Sequence, residues 1–420
     1  MDIKKITVVF LVLSLFIPIL GSAQSSIINF DRIHSLQVLQ NGGPTNVPFI
    51  ELNTNDQLLI SFDDLTKEYH RYIYKVEHCN FDWLPTTSIF ESDYLVGSDL
   101  ERPIEDYHES LNTTVPYTHY QFRFPNSRMR IKISGNYRIR IFDDDEGKEV
   151  CSCCFYAVET KAITNVSATT NTDIDLNQTH QQLSVNVRPQ GINLIDASRE
   201  IKIVVLQNGN RENRVINPKA DYYTPSGISW EHNRQLIFDG GNEFRKFEMT
   251  NVKDALMGVE SIKWFSPYYH ATIWTDKPRK NYVYDEDKDG LYFINSTDRS
   301  NDDYESDYLL AHFLFLHEPV TDGEYYLYGA LTNWSIEPQY KMLYNSEYKG
   351  YESALLLKEG YYNYQYLFVP ACGKARGAET EGDFYQTENE YTVLVYYSPR
   401  GGRYDHLIGI RSMFFEPSKQ

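Results

Sequence analysis

Three groups of residues have the type and spacing to do chemistry. Asp285, Asp287 and Asp289 stand at alternate positions ahead of Gly290, as in the first half of a calcium loop, where carboxylates two apart converge on one cation. The twelfth position should supply a bidentate acid and is Ser296, so a solvated hairpin turn between "NYVY" and "LYFI" accounts for the same residues. Turn chemistry is the expectation, with calcium left open. Cys151, Cys153 and Cys154 lie in "CSCC", but no second Cys pair or paired His completes a zinc ligand set. Together with Cys79 and Cys372 they are expected as buried thiols, with one long-range disulfide to Cys79 left open. The third group centres on Trp334 in "YYLYGALTNWS", which is either a platform for stacking a sugar or packing inside a sandwich.

The remaining polar residues point to no reaction. The 11 His are scattered, and HExxH, GxSxG and GxxxxGK[ST] are all missing. His312 and His317 are five apart in an apolar strand, which turns them to opposite faces. A chain with 58 Asp and Glu holds chance carboxylate pairs throughout, so no glycosidase dyad stands out. No enzyme activity is expected, and no catalytic, cofactor-binding or metal-binding residue is assigned.

The elements that must carry these residues are strands. In "HRYIYKVEH", Tyr72, Tyr74 and Val76 share one face against Arg71, Lys75 and Glu77; in "GNYRIRIFDDDEGKEV", Tyr137, Ile139 and Ile141 do the same, with Arg138 and Arg140 on the expected solvent side. Further short strands are closed by Gly, Asn, Asp or Pro, and only the stretch around "EMTNVKDALMGVES" could hold a turn or two of helix. The 34 Tyr suit half-buried strands, being apolar on the ring and polar at the tip. "VLQNG" occurs at 38–42 and 205–209, either as equivalent hairpins of repeated domains or because Asn-Gly is a favoured turn. Polar, aperiodic stretches at 159–178 and 295–308 suggest boundaries. The expectation is an all-β chain of tandem immunoglobulin-like β-sandwich domains: 24–160, 161–295 and a C-terminal E-set-like sandwich at 296–420.

Residues 1–23 read as a signal peptide, with Lys4 and Lys5, an apolar run from Ile6 to Leu20 broken by Pro18, and small residues up to Ala23. The run is shorter than the roughly 20 residues a spanning helix needs, so direct membrane insertion is not expected. The formal charge of −18 argues against nucleic acid and anionic lipid as partners.

From Tyr325 to Val369, "YYLYGALTNWSIEPQYKMLYNSEYKGYESALLLKEGYYNYQYLFV" resembles the early immunoglobulin-like E-set sandwich of glycogen-binding modules and branching enzymes. In that family the Asn-Trp turn is a structural marker and sugar is held by further aromatic and basic residues, which have no match here. Trp334 is therefore expected to pack on the sandwich edge. A longer resemblance rests on "KVEHCNFDW" (75–83), "KPRKNYVYDEDKDGLYFINSTDRSNDDYESDYLLAHFLF" (277–315) and "EGDFYQTENEYTVLVYYSPRGGRYDHLIGI" (381–410), which together are similar to the type IX secretion system plug protein family. That resemblance implies a non-enzymatic periplasmic protein, peripheral to the outer membrane. It would bind and seal the periplasmic opening of the outer-membrane translocon β-barrel when no substrate is bound, without a cofactor and with no residue-level contact motif to carry over. The alternative is a secreted glycan-binding β-sandwich protein, for which the resemblance explains only the last third; glycan is not the expected partner.

Overall fold

The computed structural model describes residues 26–66, 68–97, 102–224 and 227–417, so the expected signal peptide lies outside the described residues. The chain is all-β, and its strands form three sandwiches. In the first, one sheet runs Ile27–Ile28, Lys148–Val158, Gly135–Asp143 and Tyr72–Cys79, with Phe49–Glu51 parallel beside Lys148–Val158. The facing sheet runs Gly43–Pro44, Ile33–Gln40, Leu58–Asp64, Thr118–Phe124 and Asp106–Glu109. Tyr72, Tyr74, Val76, Tyr137, Ile139 and Ile141 point between the sheets into one core, as period-two alternation requires. Arg140 is half-buried and pairs with Glu149, and Arg138 on the same side is more fully covered, because that side of the sheet packs against the second sandwich.

The second sandwich is discontinuous in sequence. Ala162–Thr169, His180–Pro189, Gly227–Trp230, Tyr222–Thr224 and Ile237–Asp239 make one sheet. The other is Asn210–Ile216, Ile201–Gln207, Asn389–Tyr397 and His406–Phe415. Tyr391, Val393, Val395, Ile408 and Phe415 share one core with Leu183, Val185, Ile203 and Trp230.

Between Asp239 and Asn389 the chain builds the third sandwich. Arg245–Met249, Gly360–Pro370, Tyr292–Ile294 and Gly323–Tyr328 face Val259–Phe265, Tyr268–Ile273, Tyr308–Leu316, Gly350–Lys358 and Leu343–Asn345. The expected division at 295/296 therefore falls inside this sandwich, and 389–415 belongs to the second one. The polar run 295–308 misled because its polarity serves a joint. Asp307 accepts from Thr114 N–H and hydroxyl at 2.9 and 2.7 Å, and the Tyr117 hydroxyl donates to Ser306 O at 2.8 Å, tying the third sandwich to the first.

Both "VLQNG" copies are hairpin turns with two successive left-handed residues, Asn41 and Gly42 in one and Asn208 and Gly209 in the other. They meet: a Cβ on Gly209 would lie 2.4 Å from Asn46 Cβ, just past the first turn. First and second sandwiches are joined by an apolar layer of Val47, Trp83, Tyr156, Leu206, Leu394 and Tyr396. The joint of first and third has Asp63 at its centre, fully buried, accepting from His119 Nδ1 at 2.6 Å, Tyr308 Oη at 2.7 Å and Lys358 Nζ at 2.7 Å.

Candidate partner interface

The sequence "YLLAHFLFL" of Tyr308–Leu316 has no polar alternation, and its position in the sheet shows why that matters. Leu309, Ala311, Phe313 and Phe315 fill the core of the third sandwich. Leu310, His312, Leu314 and Leu316 must then point to the opposite face, where they are only half-buried. The registers bring further apolar residues onto that face. His270 lies beside Leu310, Leu356 opposite Leu310, Ala354 opposite His312, and Leu343 opposite Glu352. Phe265 and Trp274 extend it by the same alternation, at 59% exposure each, and Leu343 is 65% exposed.

One end of this face is covered by the first sandwich, where Leu65, Val115 and Tyr117 meet Tyr268 and Leu356. The remainder is an aromatic-rimmed surface on which Leu314, Leu316 and Leu343 stand beside Ser261 and Thr272, with Lys263 and Glu352 as charged members. A soluble surface normally avoids a contiguous patch of this kind, and its usual meaning is an interaction site. At its centre the His270 and His312 rings stack with centroids 5.1 Å apart, and His270 Nδ1 lies 2.8 Å from His312 Nε2. One ring of such a pair must offer a lone pair, and burial together with the His270 charge lowers the His312 pKa. The arrangement offers apolar contact area around a hydrogen-bonded imidazole pair.

The residues singled out by spacing are placed elsewhere, and two of the three groups come together. Trp334 is 8% exposed, follows a short 3₁₀ turn at Ala330–Thr332, and packs edge-on against Phe244 and Tyr328 with centroids 5.9 and 5.4 Å away. Gly290, which closes the aspartate series, lies under it: a Cβ there would stand 2.3 Å from Trp334 Cη2. Glycine is required both for this approach and for its φ of +79°. Trp334 is thus packing, as the Asn-Trp turn implied.

The aspartates are committed to the turn. Asp287 accepts from the N–H groups of Phe244 and Asp289, and Asp285 pairs with Lys246 at 2.5 Å. Among the described residues no group of three His, Cys, Asp or Glu could hold a metal ion. Burial pushes the carboxyl of Asp287 up to about 6 and that of nearby Glu243 up to about 7. Asp289 is pushed up to about 8 by burial and by the charge of Asp287.

All five cysteines are free thiols, four of them buried as expected, while Cys372 is exposed because it sits in the bend after Gly360–Pro370. Cys151 and Cys153 point into the core of the first sandwich, while Cys79 and Cys154 enter the apolar layer between sandwiches, two strands apart across Gly135–Asp143. Burial raises the pKa values of these four thiols, that of Cys79 to about 12, so they stay protonated and inert. His312 and His317 do face opposite ways, His317 stacking on Phe315. The His270–His312 pair and the bare face gave no local motif, since they arise from strands about forty positions apart; the only signal was the unbroken apolar run.

Residues 33–159, the first sandwich, match the family model described as type 9 secretion system plug protein, 1st domain. A crystal structure of a hypothetical protein from Parabacteroides merdae is 38% identical, with 93% of this chain and 99% of that chain covered and a TM-score of 0.90. Two other solved structures share little: a C-terminal domain of the Streptococcus pyogenes antigen I/II-family protein AspA (7% identity, 90% and 98% covered, TM-score 0.17) and three N-terminal domains of the bacteriophage RB49 Hoc capsid protein (11%, 90% and 96%, 0.15). No curated protein matches. The first sandwich is thus a type 9 secretion system plug protein first domain, which supports membership of the chain in that family.

Proposed function

We propose that this protein is a non-enzymatic periplasmic plug that binds the periplasmic opening of the type IX outer-membrane translocon and seals it when no substrate is bound. The observation that carries the reading beyond family membership is the bare apolar face of the third sandwich, with Phe265, Trp274 and Leu343 exposed. A body of three sandwiches, each packed on the other two, is broad enough to cover an opening. An aromatic-rimmed face gives it contact area without the entropic cost of ordering long side chains. The net charge of −18 favours a mouth lined with Lys and Arg, so that association weakens as salt rises. Among the described residues no helix is long and apolar enough to cross a membrane, which fits attachment through a partner. The glycan-binding alternative loses its stacking ring, because Trp334 is buried.

The test is recovery of a translocon component on the tagged protein from outer-membrane extract. Phe265→Ser with Trp274→Ser should abolish recovery while leaving the melting temperature unchanged. A strain lacking the protein should admit large antibiotics that the outer membrane normally excludes. Equal recovery with the double variant, or unchanged permeability in the deletion strain, would overturn the reading.

A further inference from the structure

The sheet that carries the bare face also has a gap along its edge. Its outermost strand, Leu343–Asn345, pairs with residues 350–352, so among the described residues 353–358 of the next strand have a neighbour on one side alone. The direction of their main-chain groups follows from the register. Glu359 N–H donates to Asp307 O at 2.8 Å, and antiparallel alternation then turns odd residues toward Tyr308–Leu316 and even ones, Ala354, Leu356 and Lys358, outward. The His34 ring is hydrogen-bonded to the Leu356 main chain, and the Tyr362 hydroxyl donates to Lys358 O at 2.5 Å. Both main-chain groups of Ala354 and the N–H groups of Leu356 and Lys358 still face outward.

They face a cleft of ≈ 590 Å³ between the first and third sandwiches, lined by 354–358 on one side and by 27–31 and 33–36 on the other. This is the position a continued edge strand would take. Five residues of strand at roughly 3.3 Å each give it a length of about 16 Å. Its apolar wall includes Ile33, Leu36 and Tyr292. Its charge is one-sided. Lys358 is committed to Asp63, whereas among the described residues Asp31 and Glu337 at the lining have no ion-pair partner, Glu337 being bonded by Ser335 and Gln339.

We propose that this cleft takes an extended segment of another polypeptide as an added strand beside Gly350–Lys358, apolar at alternate positions and with Lys or Arg at its flanks. Main-chain hydrogen bonds to Ala354 and Leu356 supply affinity, and the alternating wall and the carboxylates of Asp31 and Glu337 supply selectivity. The site adjoins the sheet face assigned to the translocon at Ala354 and Leu356, but it uses their main-chain groups and not their side chains, and it stands whether or not that assignment does.

The probe is a fluorescein-labelled peptide, acetyl-Lys-Val-Thr-Val-Lys-Val-amide, titrated by anisotropy against the chain beginning at Gln24. Saturable binding is expected, and N-methylation of alternate amides or Glu in place of Lys should each weaken it roughly tenfold. Ala354→Pro removes an outward N–H without touching the ladder to the inner strand and should weaken binding to the same degree. Hydrogen exchange on the unaltered protein provides a readout that needs no variant. The Ala354 and Leu356 amides should exchange quickly alone and become protected with peptide. No binding, or binding indifferent to N-methylation, overturns the proposal. So does protection of these amides without peptide, which would mean that the chain's own residues fill the gap.

Discussion

The joint between the first two sandwiches and the joints made by the third are built from opposite materials. Val47, Trp83, Leu206, Leu394 and Tyr396 make the first joint a thin hydrophobic core, with the Tyr396 hydroxyl donating to Asn136 Oδ1 at 2.7 Å as its polar anchor. The third sandwich meets the first through buried Asp63, Lys358, His119 and Asp307, with a small apolar contact around Val115, Tyr117 and Tyr308 beside them. It meets the second through groups such as Glu243, which accepts from Tyr282 Oη at 2.7 Å and Glu388 N–H at 3.2 Å. Apolar layers are non-directional and tolerate small shifts, whereas hydrogen-bonded charges fix one arrangement and strongly disfavour any other. The first two sandwiches are therefore glued, and the third is keyed into place.

The largest effect should come from breaking the key. Asp63→Ala leaves Lys358 buried without a counter-charge and should cost about 3–5 kcal/mol, read as a lower urea midpoint. Replacing both ends, Asp63→Leu with Lys358→Met, should recover most of that loss. If the double variant is as unstable as the single one, the pair contributes more than the relief of its own burial. In the apolar joint, Leu394→Ala should cost about 2–4 kcal/mol with no pH dependence, by the loss of a buried side chain and the cavity left behind. Gly290→Ala pushes a methyl into Trp334 at a left-handed φ and should cost about 1–3 kcal/mol, visible as a shift in tryptophan fluorescence and midpoint.

The smallest effect is expected from pH, and its carboxyl part should fall on the polar joints. Asp289, Glu243, Asp287 and Asp383 have folded pKa values raised to about 8, 7, 6 and 6 by burial. Carboxyls raised in this way contribute stability that is fully present below their unfolded values and is lost as pH rises through the folded ones. Histidines held neutral by burial, His34, His78 and His312, act in reverse and lose stability as pH falls through 6.5. The unfolding midpoint should thus climb as pH is lowered from about 8.5 to about 6.5 and flatten below. A midpoint that falls over that upper interval would contradict the burial of these carboxyls.

Much of the local structure was legible because it depends on neighbours in sequence. Alternation placed Tyr72, Tyr74, Val76, Tyr137, Ile139 and Ile141 on the buried face, and the two Asn-Gly pairs marked hairpins. The resemblance placed the Asn-Trp turn as packing before any contact was visible. What stayed hidden depends on distant partners. Polar residues at 295–308 looked like a linker because a hydrogen-bonded joint and a solvated loop have the same composition. The path from Asp239 to Arg245 crosses between sandwiches through GGNEF with no change in character, so no boundary could be read there. The partner face was half visible, since the unbroken apolar run of 308–316 said that both sides of that strand avoid water but not that one side is left bare.

The return of Asn389–Tyr397 and His406–Phe415 to the second sandwich bears on how a chain made from its N-terminal end acquires its shape. The first sandwich has all its strands by Val158 and can close as soon as it emerges. The second then waits with half a sheet, its apolar residues Ile203 and Val205 uncovered, while some hundred and fifty residues of the third pass by and fold. Only the last strands to arrive can close it. Nascent chains halted anywhere between Asp239 and Asn389 should therefore expose that half-sheet to chaperones and proteases, and loss of a few C-terminal residues should damage the middle of the molecule before its end.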